Sequence, residues 1–270
     1  MRDIRVYIEA PLDSGLASAL ASGRKLALPA QAAQHVIKVL RLRSGAEMTI
    51  FDGQGGEYRA RLELAGRGEA WVELHEHLPL ERESPLQITL LQGLARGERM
   101  DWVMQKATEL GVQRIVPVST ARSVVQLDAD RGDKRSAHWR AVAAAACEQC
   151  GRNRLPTIDP PLKLAAALQA VTTPALRLVL NPESTVTLGA ALASHAAVAP
   201  YAALTSHAAV AANQPIALLV GPEGGLDDDE LELAERSGFR GVRLGPRILR
   251  TETAGIAALA ALQCLAGDLA

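Results

Sequence analysis

The chain has 270 residues, of which 48% are hydrophobic and 22% are charged, and its formal net charge is −1. This length and apolar content predict two domains with substantial cores, and the balanced charge excludes a generic nucleic-acid binder that relies on its overall field. No run approaches the ~18 consecutive apolar residues of a membrane span, and Met1–Tyr7 alternates like a strand, unlike a signal peptide. We therefore expect a cytoplasmic protein with no membrane partner.

Residues 1–80 predict a small β-rich domain. The runs Glu47–Gly53 and Glu57–Leu64 alternate or cluster apolar residues between glycine turns, as hairpin strands do. Between the N-terminal strand and these runs, residues 31–41 predict a single helix. Its apolar face would carry Val36, Val39 and Leu40.

Residues 79–85 predict a linker, and beyond it strands alternate with helices. The predicted strands are Leu86–Gln92, Gln113–Val118, Arg177–Leu180 and Ile216–Val220, and the predicted helices between them are Met100–Leu110 and Arg140–Cys150. Such alternation implies a parallel sheet covered by helices on both faces. Ligands of these sheets bind outside the carboxyl ends of the strands.

A C-x-x-C pair and a tandem duplication stand out in the sequence, but we assign no chemical role to either. Cys147 and Cys150 form a C-x-x-C pair, but no second pair supplies the two further ligands that zinc needs. The pair also closes an alanine-rich helix, whereas a redox pair of the thioredoxin type opens one, so we predict no metal site. Residues 192–203 and 204–215 form an apparent tandem duplication, which we interpret as a surface addition within an insertion of about residues 185–215.

The loop Gly221–Gly225 has the sequence G-P-E-G-G and leaves the last long apolar strand. A glycine turn between strand and helix normally offers its N–H groups to an anion. Here Glu223 and the acidic stretch Asp227–Glu230 would repel a polyphosphate, so the pattern favours a neutral or cationic ligand. A tight turn followed by ordinary N-capping acids explains this loop equally well.

A second glycine-proline loop, Leu244–Ala254, places Arg247 and Arg250 on either side of two apolar residues. The helix that follows, Ala254–Ala266, contains no charged residue. A helix that is apolar all round is buried on several sides. It therefore lies deep in its own domain or in a subunit interface.

These motifs resemble those of the SPOUT superfamily of S-adenosylmethionine-dependent RNA methyltransferases, and specifically its small-subunit ribosomal RNA uridine-N3 branch. The similarity covers nearly the whole chain, with the C-terminal loops and five further motifs in the same order: Met1–Tyr7, His35–Arg41, Arg96–Met100, Gln105–Val112 and Cys147–Arg154. The resemblance implies an α/β fold. Its C-terminal SPOUT domain, residues 81–270, would hold a parallel sheet and a deep trefoil knot, and residues 1–80 would form a PUA-like barrel.

The resemblance also implies S-adenosylmethionine as the cofactor, 16S ribosomal RNA of the small ribosomal subunit as the partner, and a homodimer. The implied cofactor residues are Leu180, Asn181, Pro182, Leu219, Val220, Gly221, Pro222, Glu223, Gly224, Gly225, Leu244, Gly245, Ile248, Leu249, Arg250, Thr251 and Ala254. The candidate RNA-binding residues are Arg5, His35, Lys38, Arg41, Arg43, Arg96, Lys106, Arg152 and Arg154.

Methylation of uracil N3 requires removal of a proton that stays bound at neutral pH, or stabilisation of the resulting anion. Our hypothesis is that Arg250 supplies a cation to the uracil carbonyl groups, with Arg247 in reserve and Glu252 as proton acceptor. Each arginine has an alternative role, an ion pair with Glu223 or Glu252. The alternative functions are a ribose 2′-hydroxyl methyltransferase of the same superfamily, a non-catalytic RNA-binding assembly protein, and a metabolic enzyme that uses a nucleotide cofactor.

Overall fold

A computed structural model describes residues 4–9, 25–66, 68–123, 129–172, 176–196 and 215–269. The chain divides into two compact units. Unit 1 comprises Met1–Glu83 and Ala144–Leu155, and unit 2 comprises Ser84–Ala143 and Pro156–Ala270. The sequence prediction placed one boundary after residue 80 and assigned residues 144–155 to the second domain, whereas the structure packs them in unit 1.

Unit 1 is built on a five-stranded sheet with the strand order β1-β3-β4-β5-β2. Strand β1 pairs in parallel with β3, and the other neighbours are antiparallel. Buried and exposed residues alternate along much of β4, the pattern of a sheet with one face on a core. The strands are β1 Arg5–Tyr7, β2 Lys25–Ala27, β3 Glu47–Phe51, β4 Glu57–Gly66 and β5 Glu69–Leu78.

The single helix predicted over residues 31–41 is wrong in its second half. A short helix α1, Ala30–Gln34, continues into a π-helical turn over His35–Val39. Val36 is fully buried, but Val39 is 68% exposed and Leu40 is 36% exposed. A π turn winds more widely than an α-helix, so these two side chains leave the buried face that a 3.6-residue period predicts.

Residues 144–155 are held in unit 1 by buried polar contacts. The carboxylate of Glu57 accepts hydrogen bonds from the guanidinium of Arg5 and from the side-chain amide of Asn153. Arg5 also donates to the backbone carbonyl of Arg152, whose own side chain is almost fully buried. Sequence patterns of helices and strands carry no information on such long-range pairs, which explains why this association was not predicted.

Unit 2 contains a parallel sheet with the order β12-β10-β11-β6-β7-β8, and β9 also pairs with β7. Every recorded pairing in this sheet is parallel. The strands are β6 Ile88–Gly93, β7 Arg114–Ser119, β8 Thr157–Ile158, β9 Leu162–Lys163, β10 Leu176–Leu180, β11 Ile216–Val220 and β12 Arg240–Val242.

Helices cover both faces of this sheet, as predicted. Adjacent residues of β11 point into different cores: Leu218 packs in a cluster with Met100 and Leu259, and Leu219 packs in a second cluster with Leu168. The helices are α2 Glu98–Glu109, α3 Ala129–Cys150, α4 Leu164–Gln169, α5 Leu188–Ala196, α6 Asp228–Arg236 and α7 Thr251–Ala266. The uncharged helix α7 buries Ala258, Leu259 and Leu262 but leaves Leu265 50% exposed.

Two expectations remain open. The trefoil knot stays a prediction, and most of the duplicated segment, residues 197–214, lies outside the described residues. Among the helices that the structure describes, none combines the length and apolarity needed to cross a membrane.

Candidate cofactor and substrate site

A cavity of about 730 Å³ lies where β10, β11 and β12 of unit 2 end. Its walls are the three segments that follow these strands, and the predicted carboxyl edge is therefore where a site forms. Leu219 is the exception among the implied cofactor residues, because its side chain is buried in the core. The other sixteen line the cavity: Leu180, Asn181, Pro182, Val220, Gly221, Pro222, Glu223, Gly224, Gly225, Leu244, Gly245, Ile248, Leu249, Arg250, Thr251 and Ala254.

A buried hydrogen-bond chain joins the two glycine-proline loops. The hydroxyl of Thr251 donates to the carbonyl of Gly221 at 2.6 Å, and the side-chain amide of Gln92 donates to that hydroxyl at 2.9 Å. Gln92 is fully buried and Thr251 is 5% exposed. The end of β6 thus fixes the start of α7 against the first loop.

The same strand brings a glycine against that loop. A Cβ placed on Gly93 would lie 2.4 Å from the backbone nitrogen of Pro222 and 2.7 Å from the carbonyl carbon of Gly221. Only a residue without a side chain lets strand and loop approach this closely.

Glu223, inside the first loop, is held by two donors. Its Oε1 accepts from the backbone N–H of Arg96 at 2.9 Å and from the guanidinium of Arg99 at 2.7 Å. Burial alone would raise the pKa of Glu223, but these bonds and its own backbone N–H outweigh burial and lower that pKa below its ordinary value. Glu223 is therefore ionised at neutral pH, and it braces the loop.

Two of the acidic residues after the first loop cap the helix that follows, which was the alternative interpretation of this stretch. Asp227 and Glu230 form a reciprocal capping box at the start of α6. Glu230 also accepts from the backbone N–H of Ala121. Two residues of this acidic stretch are thus structural, whereas Asp228 and Glu223 line the cavity and set its charge.

The arginines of the second loop are exposed. The backbone carbonyl of Arg250 accepts from Ala254, but within the described residues the guanidinium groups of Arg247 and Arg250 have no hydrogen-bond or ion-pair partner. The predicted alternative, an ion pair with Glu223 or Glu252, is therefore wrong for both. Arg99 takes that position instead, since its Nε lies 3.7 Å from Oε1 of Glu252 while its Nη1 binds Glu223.

Among the residues that sequence reasoning missed, three hold the polar framework of the site. Arg99 and Arg122 line the cavity, and Arg122 donates to the carbonyl groups of Gly224 and Leu226. The buried side chain of Gln92 supports the site through its hydrogen bond to Thr251. Arg99 falls within the Arg96–Met100 motif, which could have indicated it. No local pattern indicates Gln92 or Arg122, because their roles depend on which distant segments of the chain pack together.

The candidate RNA-binding residues differ in their exposure and in the partners they bind. The side chains of Arg5 and Arg152 are 9% and 4% exposed and pair with Glu57 and Glu83. The structure thus gives both a structural role, which argues against RNA contact. Lys106 is bonded to Glu109 on the same helix, and Arg154 pairs with Glu81. His35 is half-buried, and the cations that remain exposed are Lys38, Arg41, Arg43, Arg96 and Arg154.

The C-x-x-C pair lies in unit 1 with both thiols reduced. Burial raises the pKa of Cys147 to about 12, and its thiol donates to the carbonyl of Arg154. A protonated, buried thiol is a poor nucleophile.

A family model for an RNA methyltransferase domain matches residues 82–263, and one for an RNA methyltransferase PUA domain matches residues 28–74. Ribosomal RNA small subunit methyltransferase E of Bacillus subtilis (strain 168) is 30% identical over 87% of this chain and 89% of that protein. The chain belongs to this methyltransferase family. The ribosomal RNA small subunit methyltransferase E of Mycobacterium tuberculosis (strain CDC 1551 / Oshkosh) is 32% identical over 86% of this chain and 83% of that protein.

Solved structures of family members match over the full length. A methyltransferase from Legionella pneumophila with bound cofactor SAM has a TM-score of 0.84 and 36% identity, with 100% of both chains covered. The ribosomal RNA small subunit methyltransferase E of Neisseria gonorrhoeae, bound to S-adenosyl methionine, has a TM-score of 0.81 and 34% identity with the same coverage. These matches confirm the predicted fold class, an α/β methyltransferase sheet with an N-terminal PUA-like β domain.

Proposed function

We propose that this protein transfers a methyl group from S-adenosylmethionine to N3 of a uridine in 16S ribosomal RNA of the small ribosomal subunit. The observation that carries the proposal is the cavity at the ends of β10, β11 and β12, built by the two glycine-proline loops. The Legionella and Neisseria relatives, which match this chain from end to end, hold S-adenosylmethionine.

The cavity wall suits this ligand. S-adenosylmethionine carries a positive sulfonium and an ammonium group, and carboxylates attract both. Four carboxylates line the cavity: Glu183, Glu223, Asp228 and Glu252. Its volume of about 730 Å³ is in the range of small-molecule sites. The first loop also presents bare backbone, because a Cβ on Gly224 would lie 2.9 Å from Cβ of Arg122.

S-adenosylmethionine, when bound, supplies an activated methyl group. The residues of the chain must then align uracil N3 and take its proton. Glu252 is our candidate acceptor of the proton. In support, its side chain is 15% exposed, and Oε2 is buried without a hydrogen-bond partner among the described residues. Arg250 is free to donate to a uracil carbonyl and to stabilise the imide anion. Arg247 is the reserve for that role.

RNA contact is assigned to the cations that stay exposed. Lys38, Arg41 and Arg43 follow one another in unit 1 around the π-helical turn, and Arg41 has a left-handed φ of 52° that fixes the course of this segment. Such a local patch supplies phosphate contacts although the net charge of the chain is −1. Arg96 and Arg154 complete the exposed set, and Lys106 and His35 are weaker candidates because of their contacts and burial.

The cellular context is part of the same proposal. We expect a protein that methylates ribosomal RNA to act in the cytoplasm, and we expect this one to be a homodimer. The apolar, part-exposed face of Trp102, Ile256 and Ala257 supports a second copy near the site. The knot is likewise proposed, with the contact from Thr251 to Gly221 as support, since it holds the last helix against the first loop.

The proposal is tested by calorimetric titration with S-adenosylmethionine, followed by transfer of labelled methyl groups to small ribosomal subunits that lack the modification. Arg250→Ala should bind the cofactor normally and methylate slowly. A matched control, Arg236→Ala, removes an exposed arginine outside the cavity that pairs with Glu232, and it should keep wild-type activity. Normal methylation by the Arg250 variant would overturn its assignment.

A further inference from the structure

The carboxyl edge of the parallel sheet continues past the strands that build the cofactor cavity. In the sheet order, β6 and β7 follow β11 directly, so the segments after these three strands are neighbours along one edge. The segment after β11 is the first cofactor loop, Gly221–Gly225. The segments after β6 and β7 carry Arg96 and Arg122. A cofactor in the cavity therefore has an arginine from each of the next two strand ends beside its loop.

Arg122 is held against the first loop by carbonyl groups. Its Nη1 donates to the carbonyl of Gly224 at 3.1 Å and to that of Leu226 at 3.4 Å. Carbonyl oxygens are neutral acceptors, so these bonds orient the guanidinium without cancelling its charge. The N–H groups on Nε and Nη2 remain as donors for a ligand at the cavity wall, which Arg122 lines.

The backbone that carries Arg122 is itself braced. The N–H of Ala121 donates to Oε1 of Glu230 at 2.7 Å, and the N–H of Thr120 donates to the hydroxyl oxygen of Ser123 at 3.1 Å. Thr120 and Ser123 are buried. A guanidinium that is already oriented loses little conformational freedom when it binds a ligand.

Arg96 supplies a second cation whose charge is not balanced. Its backbone N–H donates to Oε1 of Glu223 at 2.9 Å, and the guanidinium of Arg99 donates to the same oxygen at 2.7 Å. Glu223 thus balances Arg99. Arg96 is exposed, and its guanidinium has no partner in the part of the chain that the structure describes. Glu230, the carboxylate beside Arg122, already accepts from two backbone N–H groups.

The two free guanidinium groups suit phosphate. Arginine binds a phosphate through parallel N–H bonds. The cofactor carries one carboxylate and no phosphate, whereas an RNA strand carries a phosphate at every nucleotide and can supply an anion to each arginine.

We propose that Arg96 and Arg122 form a binding site for backbone phosphates of the RNA next to the target uridine. This inference rests on the proposed function. Phosphate contacts fix the position of a nucleic acid without reading its sequence. Both arginines are therefore positioning residues, which hold the strand while the target base enters the cavity.

The test measures binding of unmodified small ribosomal subunits over a series of salt concentrations, with S-adenosylhomocysteine present so that no methyl group is transferred. The logarithm of the binding constant falls with the logarithm of the salt concentration by about 0.7–0.9 per phosphate contact. Arg122→Gln removes the charge, and should reduce this slope by about that amount and weaken binding about tenfold. Arg122→Lys retains the charge and should keep the slope.

The two variants control for each other. Neither has the guanidinium that binds Gly224 and Leu226, so an effect on the first loop is common to both, and their difference reports the phosphate contact. Arg96→Gln should reduce the slope by the same amount, and the double variant by the sum. Arg236→Gln changes an exposed arginine of α6 outside the cavity, and it should keep the wild-type slope.

A wild-type slope for Arg122→Gln, or an equal loss for Arg122→Lys, would overturn the phosphate site. Weaker binding of S-adenosylmethionine by Arg122→Gln than by Arg122→Lys, at the wild-type slope, would assign this arginine to the cofactor carboxylate instead. Light scattering that shows Arg122→Gln to be a monomer, where the wild type is a dimer, would make it a subunit contact and also overturn the site. Failure of the proposed function is a different result: the wild-type protein itself would then produce no 3-methyluridine.

Discussion

Gly93→Ala tests whether β6 braces the first cofactor loop. The new methyl carbon would lie 2.4 Å from the nitrogen of Pro222 and 2.7 Å from its Cδ. Both atoms belong to a proline whose ring fixes the backbone, so the clash cannot be relieved by turning a side chain. Either the loop or the strand must move by about 1 Å to reach ordinary van der Waals contact.

The expected cost follows from this geometry. Overpacking a tight site costs about 1–3 kcal/mol, which for a unit of this size lowers the Tm by roughly 2–4 °C per kcal/mol. If the loop moves, its backbone groups shift away from the cofactor. Loss of one or two hydrogen bonds there weakens binding of S-adenosylmethionine about tenfold.

The assay is thermal unfolding with and without S-adenosylmethionine, together with calorimetric titration. Gly189→Ala is the matched control, because no atom lies within 4 Å of a Cβ at that exposed position in α5. Alanine favours a helix over glycine by about 1 kcal/mol, so the control should be unchanged or slightly more stable. Wild-type Tm and affinity for Gly93→Ala would refute the close contact between strand and loop.

Three further predictions concern single side chains. Thr251→Val should cost about 2 kcal/mol of stability, because it leaves one N–H of the buried Gln92 amide and the carbonyl of Gly221 without their partner. Thr251→Ser should retain most of that stability, and denaturant titration measures both variants. Burial would raise the pKa of Glu57, but hydrogen bonds from arginine and asparagine side chains outweigh burial and lower that pKa. Ionised Glu57 therefore stabilises unit 1 at pH values above the ordinary carboxyl range, and this contribution is lost as the pH falls through the folded pKa. Glu57→Gln should make the free energy of unfolding less dependent on pH in this acid range, and an unchanged dependence would contradict the assignment. Cys264, which is exposed, should react with iodoacetamide in the folded protein, and Cys147 only after unfolding; mass spectrometry of the alkylated peptides distinguishes them.

The pattern of apolar residues along the sequence predicted the buried strands of unit 2. The strand Ile216–Val220 was placed residue for residue, and the strand predicted over Leu86–Gln92 runs from Ile88 to Gly93. Continuous apolar runs between turn residues carry this signal when a strand is buried on both faces. The helix predicted over Arg140–Cys150 begins earlier, at Ala129. Its first turns were not predicted because they are polar and show no apolar stripe.

Long-range pairing was beyond local pattern. Nothing near Arg152 in the sequence indicates that it pairs with Glu83, and so it was placed among the RNA contacts although it is buried. The site shows the same limit. The sequence identified Glu223 and Glu252 as the charged partners in the two loops, but their shared cation is Arg99, from a helix more than a hundred residues earlier.

The most direct test of the account is the identity of the methylated nucleoside. The purified protein would be incubated with methyl-labelled S-adenosylmethionine and small ribosomal subunits that lack the modification, and the RNA would be digested to nucleosides. The account predicts label in 3-methyluridine. Label in a ribose-methylated nucleoside would keep the fold and cofactor but contradict the proposed chemistry, and no label would favour a non-catalytic RNA-binding protein.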